Sequence, residues 1–368
     1  MENVFRYPMR SAFDMITSPG FVDHECAEDI TSIERWIKRV EDRLVRIQSA
    51  RNIKEIRFTH DPVGLGGQIS RRILAFRVAM ITGSRVVFPA ETFFPYENAF
   101  NRLPMQNNGE GELLNCLDDA FKEGCSIFSF DFWKFAAHSS DSSRVYNYVP
   151  CDPPIGERLA NIIYDGILFR HQTIRPEWQS AVDRSISTLC LPSRYIAVHF
   201  RRGDKSVETP YVPAEQYRNA VLAATKAFGI DTVFVASDSP TALQELKLHD
   251  TGLQIIFDEK EQRLNNANHK FLAKNPSQRK SETLTALKNL YTLSRADAVV
   301  GQDNAHFATL AAGSIALRNQ NLKFGTLLNG HILLEKPGWR AYYKIRSFTR
   351  RSAKVLFPQL SIKSKDGV

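Results

Sequence analysis

Apolar residues at Ile30, Ile33, Ile37, Val40, Leu44 and Ile47 follow one another three or four positions apart, with charges between them. The spacing predicts an amphipathic helix over 27–50 with a heptad seam, which packs either on its own domain or on a second copy of the chain. The pattern then alternates between short apolar runs and helical periods. Strands are expected at 54–59 and 85–88, helices at 68–81, 155–169 and 177–188, and a Pro- and Asn-rich loop over 91–111. From Tyr195 the alternation is regular, with strands at 195–200, 232–236, 254–257 and 298–301. Helices at 214–228, 241–249, 281–294 and 305–312 separate them, and a polar loop covers 258–280. Apolar strands alternating with helices of this length imply parallel sheets joined by crossovers. The expected fold is therefore α/β, two Rossmann-like doubly wound domains facing a cleft, preceded by the amphipathic helix. The expected boundaries are a helical segment 1–50, α/β domains 51–190 and 191–335, and a tail 336–368. Ligands of such sheets sit beyond the carboxyl ends of the strands, so the residues just after each strand are where chemistry is to be sought.

Composition sharpens this picture in one respect. The 368 residues are 43 % hydrophobic, enough for two cores, and carry a formal net charge of +8. That charge is local. Lys336, Arg340, Lys344, Arg346, Arg350, Arg351, Lys354, Lys363 and Lys365 against Asp366 account for all of it, and the body before them is neutral. No stripe of aromatics suited to stacking on bases accompanies basic residues in the body, which argues against a nucleic-acid partner. In the tail, Trp339, Tyr342, Tyr343, Ile345 and Phe348 interleave with the cations. Such a segment either lies on an anionic membrane surface or is solvated. No run reaches the roughly 18 apolar residues of a membrane span, and the first residues lack the apolar stretch of a signal peptide. The expectation is a cytoplasmic protein, membrane-peripheral only if the tail takes the first of these two forms. Five cysteines without a C-x-x-C pair read as reduced thiols, most of them buried.

Four strings carry candidate chemistry. His60 to Gln68 contains Gly64, Gly66 and Gly67 between a strand and a helix, where backbone amides can face an anion. It lacks the third glycine of a dinucleotide fingerprint and the Lys-Ser/Thr of a triphosphate loop, and a simple tight turn is the alternative. Val198-His199-Phe200-Arg201-Arg202-Gly203-Asp204-Lys205 runs off a strand end. Its paired guanidiniums offer forked donors to phosphate, Lys205 a compact charge for a leaving diphosphate, and Asp204 a group to hold the Arg pair. Ser237-Asp238-Ser239-Pro240 ends the next strand, with Asp238 a ligand contact or an N-cap. Asp303-Asn304-Ala305-His306 ends the last of these strands at another helix N-terminus. No Asp-x-Asp pair and no His/Cys cluster is present, so no metal ion is expected, and phosphate charge is left to Arg and Lys.

The first three of these strings, with Leu293-Ser294-Arg295-Ala296-Asp297 and the Phe169 to Trp178 stretch, resemble the α1,6-fucosyltransferase family, which includes the core-fucosylating animal enzymes and the rhizobial nodulation enzymes. The resemblance runs from about residue 55 to 315. It implies a GT-B type, inverting, metal-independent glycosyltransferase with no cofactor, using GDP-fucose as donor substrate and an oligosaccharide as acceptor. On that resemblance 51–190 is the acceptor side and 191–335 the nucleotide-sugar domain. Gly64, Gly66, Gly67 and Arg201 hold the diphosphate and His199 frames the guanine. Arg202, Asp204, Asp238, Asn289, Asn304 and Ala305 complete the donor site. Lys205 stands near the leaving phosphate. Glu208 is the base, with Glu215 as fallback, and deprotonates an acceptor hydroxyl, the 6-OH of GlcNAc in the family.

Two departures from the family pattern bear on the donor. The family's acidic guanine contact is Asn289 here, an amide with one carbonyl where a carboxylate accepts twice. Its Ser-Ser after the last strand is Asn304-Ala305. Glu208 also lies one residue nearer the lysine than the family's base. A protein that keeps the fold and binds a sugar nucleotide or glycan without catalysis is the alternative.

Overall fold

A computed structural model describes residues 30–58, 63–88, 96–101, 112–114, 117–121, 127–130, 135, 144–203, 211–263, 268–319 and 323–328. Helix α1 (Ile30–Ser49) leads into β1 (Glu55–Phe58), α2 (Leu65–Thr82), β2 (Arg85–Val87), β3 (Glu112–Leu113) and β4 (Ile127–Phe130). Helices α3 (Glu157–His171) and α4 (Pro176–Ser187) follow. Then come β5 (Ile196–Phe200), α5 (Ala214–Phe228), β6 (Thr232–Ser237), α6 (Ala242–Leu246) and β7 (Gln254–Ile256). The last elements are α7 (Asn268–Lys274), α8 (Arg279–Arg295), β8 (Ala298–Gln302), α9 (His306–Arg318) and β9 (Gly325–Leu328).

The strands form two parallel sheets, ordered β2-β1-β4-β3 and β7-β6-β5-β8-β9. In the second, β5 is central, and Val198 is paired with Val235 of β6 on one side and Val300 of β8 on the other. The chain leaves β5 toward one edge and returns to the opposite side, so the carboxyl ends of β5 and β8 flank the point where strand order reverses. That is where a doubly wound sheet opens a crevice. In the first sheet the same reversal falls between β1 and β4.

Ile33, Trp36, Val40 and Leu44 of α1 are fully buried in the same core as Phe58 and Phe76, and Trp36 Nε1 donates to the Pro150 carbonyl at 2.9 Å. The seam positions Ile33, Val40 and Leu44 therefore pack within the chain, while Ile30 at its start is exposed. One apolar core spans both sheets, because α3 and α9 lie against each other between them. Their contact is backbone to backbone. A Cβ on Gly313 would stand 2.6 Å from the Ile162 carbonyl oxygen and 2.8 Å from the Gly166 nitrogen, so neither glycine tolerates a side chain. A second apolar cluster, with Val198, Phe200, Tyr217 and Val221, covers the other face of the second sheet.

Several elements differ from the sequence reading. Helix α2 begins three residues earlier, taking Gly66 and Gly67 into its first turn. The 241–249 helix is only five residues long, since Lys247 adopts a left-handed φ of 49° and stops it. The 258–280 loop contains α7. Strands β3, β4 and β9 were not expected at all. Of the five cysteines, Cys151 is half-buried and Cys190 exposed, and Cys26, Cys116 and Cys125 lie outside the described residues. Among the described residues no helix is long and apolar enough to cross a membrane.

Candidate active site

Two helix N-termini meet at the crevice. Helix α2 starts after Gly64 and α9 after Ala305, and neither has a side-chain cap. The first-turn amides of a helix have no intrahelical acceptor, so each end is a set of aligned donors with a partial positive charge. Close packing brings the ends together. A Cβ on Gly66 would sit 2.7 Å from the Phe307 ring, and one on Gly67 3.1 Å from Val63 Cγ2, whereas Gly64 has open space around it. Gly66 is thus small because Phe307 lies on it, a reason distinct from ligand approach. Phe307 also lies against His199, ring centroids 5.7 Å apart. Gln68, buried, donates from Nε2 to the Val63 carbonyl at 2.9 Å and fixes the entry of the loop.

The residues after β5 separate into two roles. Arg201 reaches the cleft, and its guanidinium is ion-paired with the Asp238 carboxylate. Asp238 also accepts the Arg202 backbone N–H at 2.8 Å. Gly203, at φ 49°, follows; a Cβ there would run into the Asp238 carboxylate. Asp238 therefore orients the strand end and is not a helix cap; Thr241 occupies that position before α6. Arg202 turns away from the cleft. Its guanidinium lies 3.8 Å from the Phe200 ring centroid and donates to Glu245 Oε2 at 2.9 Å and to the Val212 carbonyl at 3.0 Å. Burial pushes the Glu245 carboxyl up, but hydrogen bonds from Arg202 and Thr241 outweigh it and hold it below its ordinary value. The paired-guanidinium expectation is corrected accordingly: one arginine faces the ligand space and the other holds the loop.

The cleft encloses about 330 Å³. Gly64, Gly66, Gly67, His199, Arg201, Asp238, Asn289, Asn304 and Ala305 all line it, although they come from five separate stretches of sequence. Asn289 projects from α8 on the same face as Glu282, Thr285 and Ala286, and Asn304 is buried at the end of β8. Asp204, Lys205 and Glu208 lie outside the described residues, as does the 336–368 tail. Glu215 is in the first turn of α5 and does not line the cleft. The Ser294-to-Asp297 stretch stands at the amino end of β8, away from the cleft, where Asp297 accepts from Arg194 Nε at 3.1 Å and the Tyr195 N–H at 3.2 Å.

Other cleft residues carried no signal in the sequence reading. Arg71, Tyr96, Glu261, Arg263 and Phe307 line the space, and the spacing of Glu282, Thr285 and Asn289, three and four positions apart, is a signal that sets those three on one helix face. Arg263 binds the segment after β7 to the sheet, donating from Nη2 to the Asp258 carbonyl at 2.7 Å and from Nε to the Ser237 carbonyl at 3.2 Å. Among the described residues no three His, Cys, Asp or Glu side chains group as metal ligands.

No family model matches the chain, and no curated protein matches it. Among solved structures it is similar to the fucosyltransferase NodZ from Bradyrhizobium, at 14 % identity over 71 % of this chain and 93 % of that one, TM-score 0.41. A variant of Arabidopsis thaliana FUT1 in complex with GDP gives 13 % identity, 85 % and 84 % coverage and a TM-score of 0.42. POFUT1 in complex with GDP gives 14 %, 72 % and 95 %, and 0.34. These likenesses are distant, and the chemistry of the cleft rests on its own residues.

Proposed function

We propose that the chain is a glycosyltransferase that moves fucose from GDP-fucose to a sugar hydroxyl, by a single inverting displacement that needs no metal ion. The observation that carries this reading is the convergence of two uncapped helix N-termini and Arg201 on one cleft. Such a cradle suits a diphosphate, whose negative charge grows as the bond to the sugar breaks; fixed donors aimed at it stabilise the leaving group without reorganisation. In this reading the diphosphate lies against the amides of α2 and α9 and against Arg201, with the base toward His199, Asn289 and Asn304. The motif resemblance adds Lys205 at the departing phosphate and Glu208 as the base that deprotonates the acceptor, the 6-OH of GlcNAc in an oligosaccharide.

Calorimetry with GDP and product analysis with GDP-fucose on chitooligosaccharide and N-glycan acceptors test it. Glu208→Ala is expected to lose about 10²–10⁴-fold in turnover while still binding GDP. Wild-type protein that binds GDP but transfers nothing would be a silent sugar-nucleotide-binding protein; protein that does neither would sink the donor reading.

A further inference from the structure

Where the two helix ends meet, a histidine stands among the donors. His306 is the first residue of α9, is partly exposed and lines the cleft. A Cβ built on Gly66 would lie 3.2 Å from His306 Cβ, and one on Gly67 3.8 Å from its Cδ2, so the edge of the imidazole lies over the first turn of α2. The ring therefore stands between the two sets of uncapped amides. Phe307, next in the chain, fills the contact with Gly66 and His199, so of the two residues that open α9 only His306 can carry charge. The groups around it bear on its protonation. Arg201 at the end of β5 and Arg71 of α2 add positive charge to that of the helix ends, while Arg263 donates to the carbonyls already described. Among the carboxylates, Asp238 pairs with Arg201, and Glu261 accepts from Lys288 Nζ at 3.2 Å and from Asn289 Nδ2 at 2.8 Å. Glu282 lines the cleft from the first turn of α8, and Asp303 lies three positions before His306. The other imidazole of the cleft is His199.

We propose that His306 couples donor binding to a proton: its imidazole is neutral in the empty cleft and becomes charged when a diphosphate enters between the helix ends. The proposal rests on the nucleotide-donor reading above. The helix N-termini, which lie nearest the ring, disfavour a further cation there, and the guanidiniums act in the same sense. A diphosphate brings negative charge against the ring and reverses this, so the charged imidazole donates a hydrogen bond to a phosphate oxygen. The proton comes from solvent and returns to it when the ligand leaves; none passes to the sugar or the acceptor. The sign follows. A group that gains affinity for its proton in the complex gives tight binding at low pH, and that gain is lost as pH rises through and above the ordinary histidine value of about 6.5.

The test is titration of the full chain with GDP-fucose, without acceptor, at pH of about 6, 7 and 8. This probe is chosen because its diphosphate is esterified at both ends and exchanges no proton near neutral pH, whereas the terminal phosphate of free GDP titrates there. Wild-type affinity is expected to fall by about fivefold or more from the lowest pH to the highest. Calorimetry in buffers of different ionisation enthalpy should show about half a proton taken up per site at the middle pH. His306→Gln keeps a donor that does not titrate, and its affinities at the two extremes should agree within about twofold. His199→Gln should keep the slope, whatever its effect on affinity. Thermal unfolding checks that both variants fold, and the wild-type proton count stands without either. Binding of GDP-fucose with no proton uptake, or a slope that survives His306→Gln or is lost in His199→Gln, would overturn the proposal and leave the donor reading intact. Failure of wild type to bind either GDP-fucose or GDP at every pH would overturn the donor reading itself, and the proton assignment with it.

Discussion

Adjacent arginines at the end of β5 show how far a residue's role depends on which way the strand turns it. Arg201 and Arg202 are alike in sequence, yet one reaches the cleft and the other is 6 % exposed under Tyr211 and Phe200. Their alanine variants should part accordingly. Arg201→Ala is expected to weaken GDP binding by about tenfold or more with little change in melting temperature, since it removes a charge-assisted contact to the ligand. Arg202→Ala should instead cost about 1–3 kcal/mol of stability, through the lost hydrogen bonds to Glu245 and the Val212 carbonyl. Calorimetry and chemical denaturation of the two variants check this, and an equal loss of stability in both would contradict it. The sequence marked the strand end as chemical because four ionisable groups crowd a buried strand's terminus. Period-two alternation could not distinguish the two guanidiniums, because beyond Phe200 the chain leaves the strand and Gly203 takes a left-handed φ. Nor could it find Glu261, whose partner Asn289 is 28 positions away.

Helices α3 and α9 raise the same question at the level of elements. Their axes approach until carbonyl oxygens of one helix face the glycine of the other, so Gly313→Ala inserts a methyl group into backbone. Overpacking of that kind is expected to cost about 1–3 kcal/mol, measurable as a lowered urea midpoint with unchanged slope. A stability equal to wild type would mean the helices separate freely. Most of the α/β order was legible, because helices of 12 to 18 residues with one apolar face repeat their signal several times. Strands β4 and β9 are four residues each, too short for alternation to stand out. The start of α2 was misplaced for a different reason. Glycine disfavours a helix, but at Gly66 the packing of Phe307 across the first turn requires one, and tertiary contact overrides propensity. What α1 packs against is set by the interior around Trp36, which no local pattern records.

The two sheets share one core, and this governs the behaviour of the whole molecule. Where domains touch only across a polar interface, relative motion is the default; here Tyr164, Ile167, Leu310 and Ile315 join the halves in a dry interior. The cleft is therefore expected to bind its ligand without closing, and small-angle scattering should give the same radius of gyration with and without saturating GDP. A contraction on binding would show that the shared core yields. The close passage of Gly313 over Gly166 also has a consequence in time. The two glycines are 147 positions apart, and contacts of such separation are slow to form because a long loop must first be closed. During synthesis the first sheet and α3 emerge well before α9, with the seat for α9 still open. The cradle of helix ends thus comes into being only after α9 docks. A fragment that ends before His306 lacks α9, and with it one of the two helix ends of the cradle.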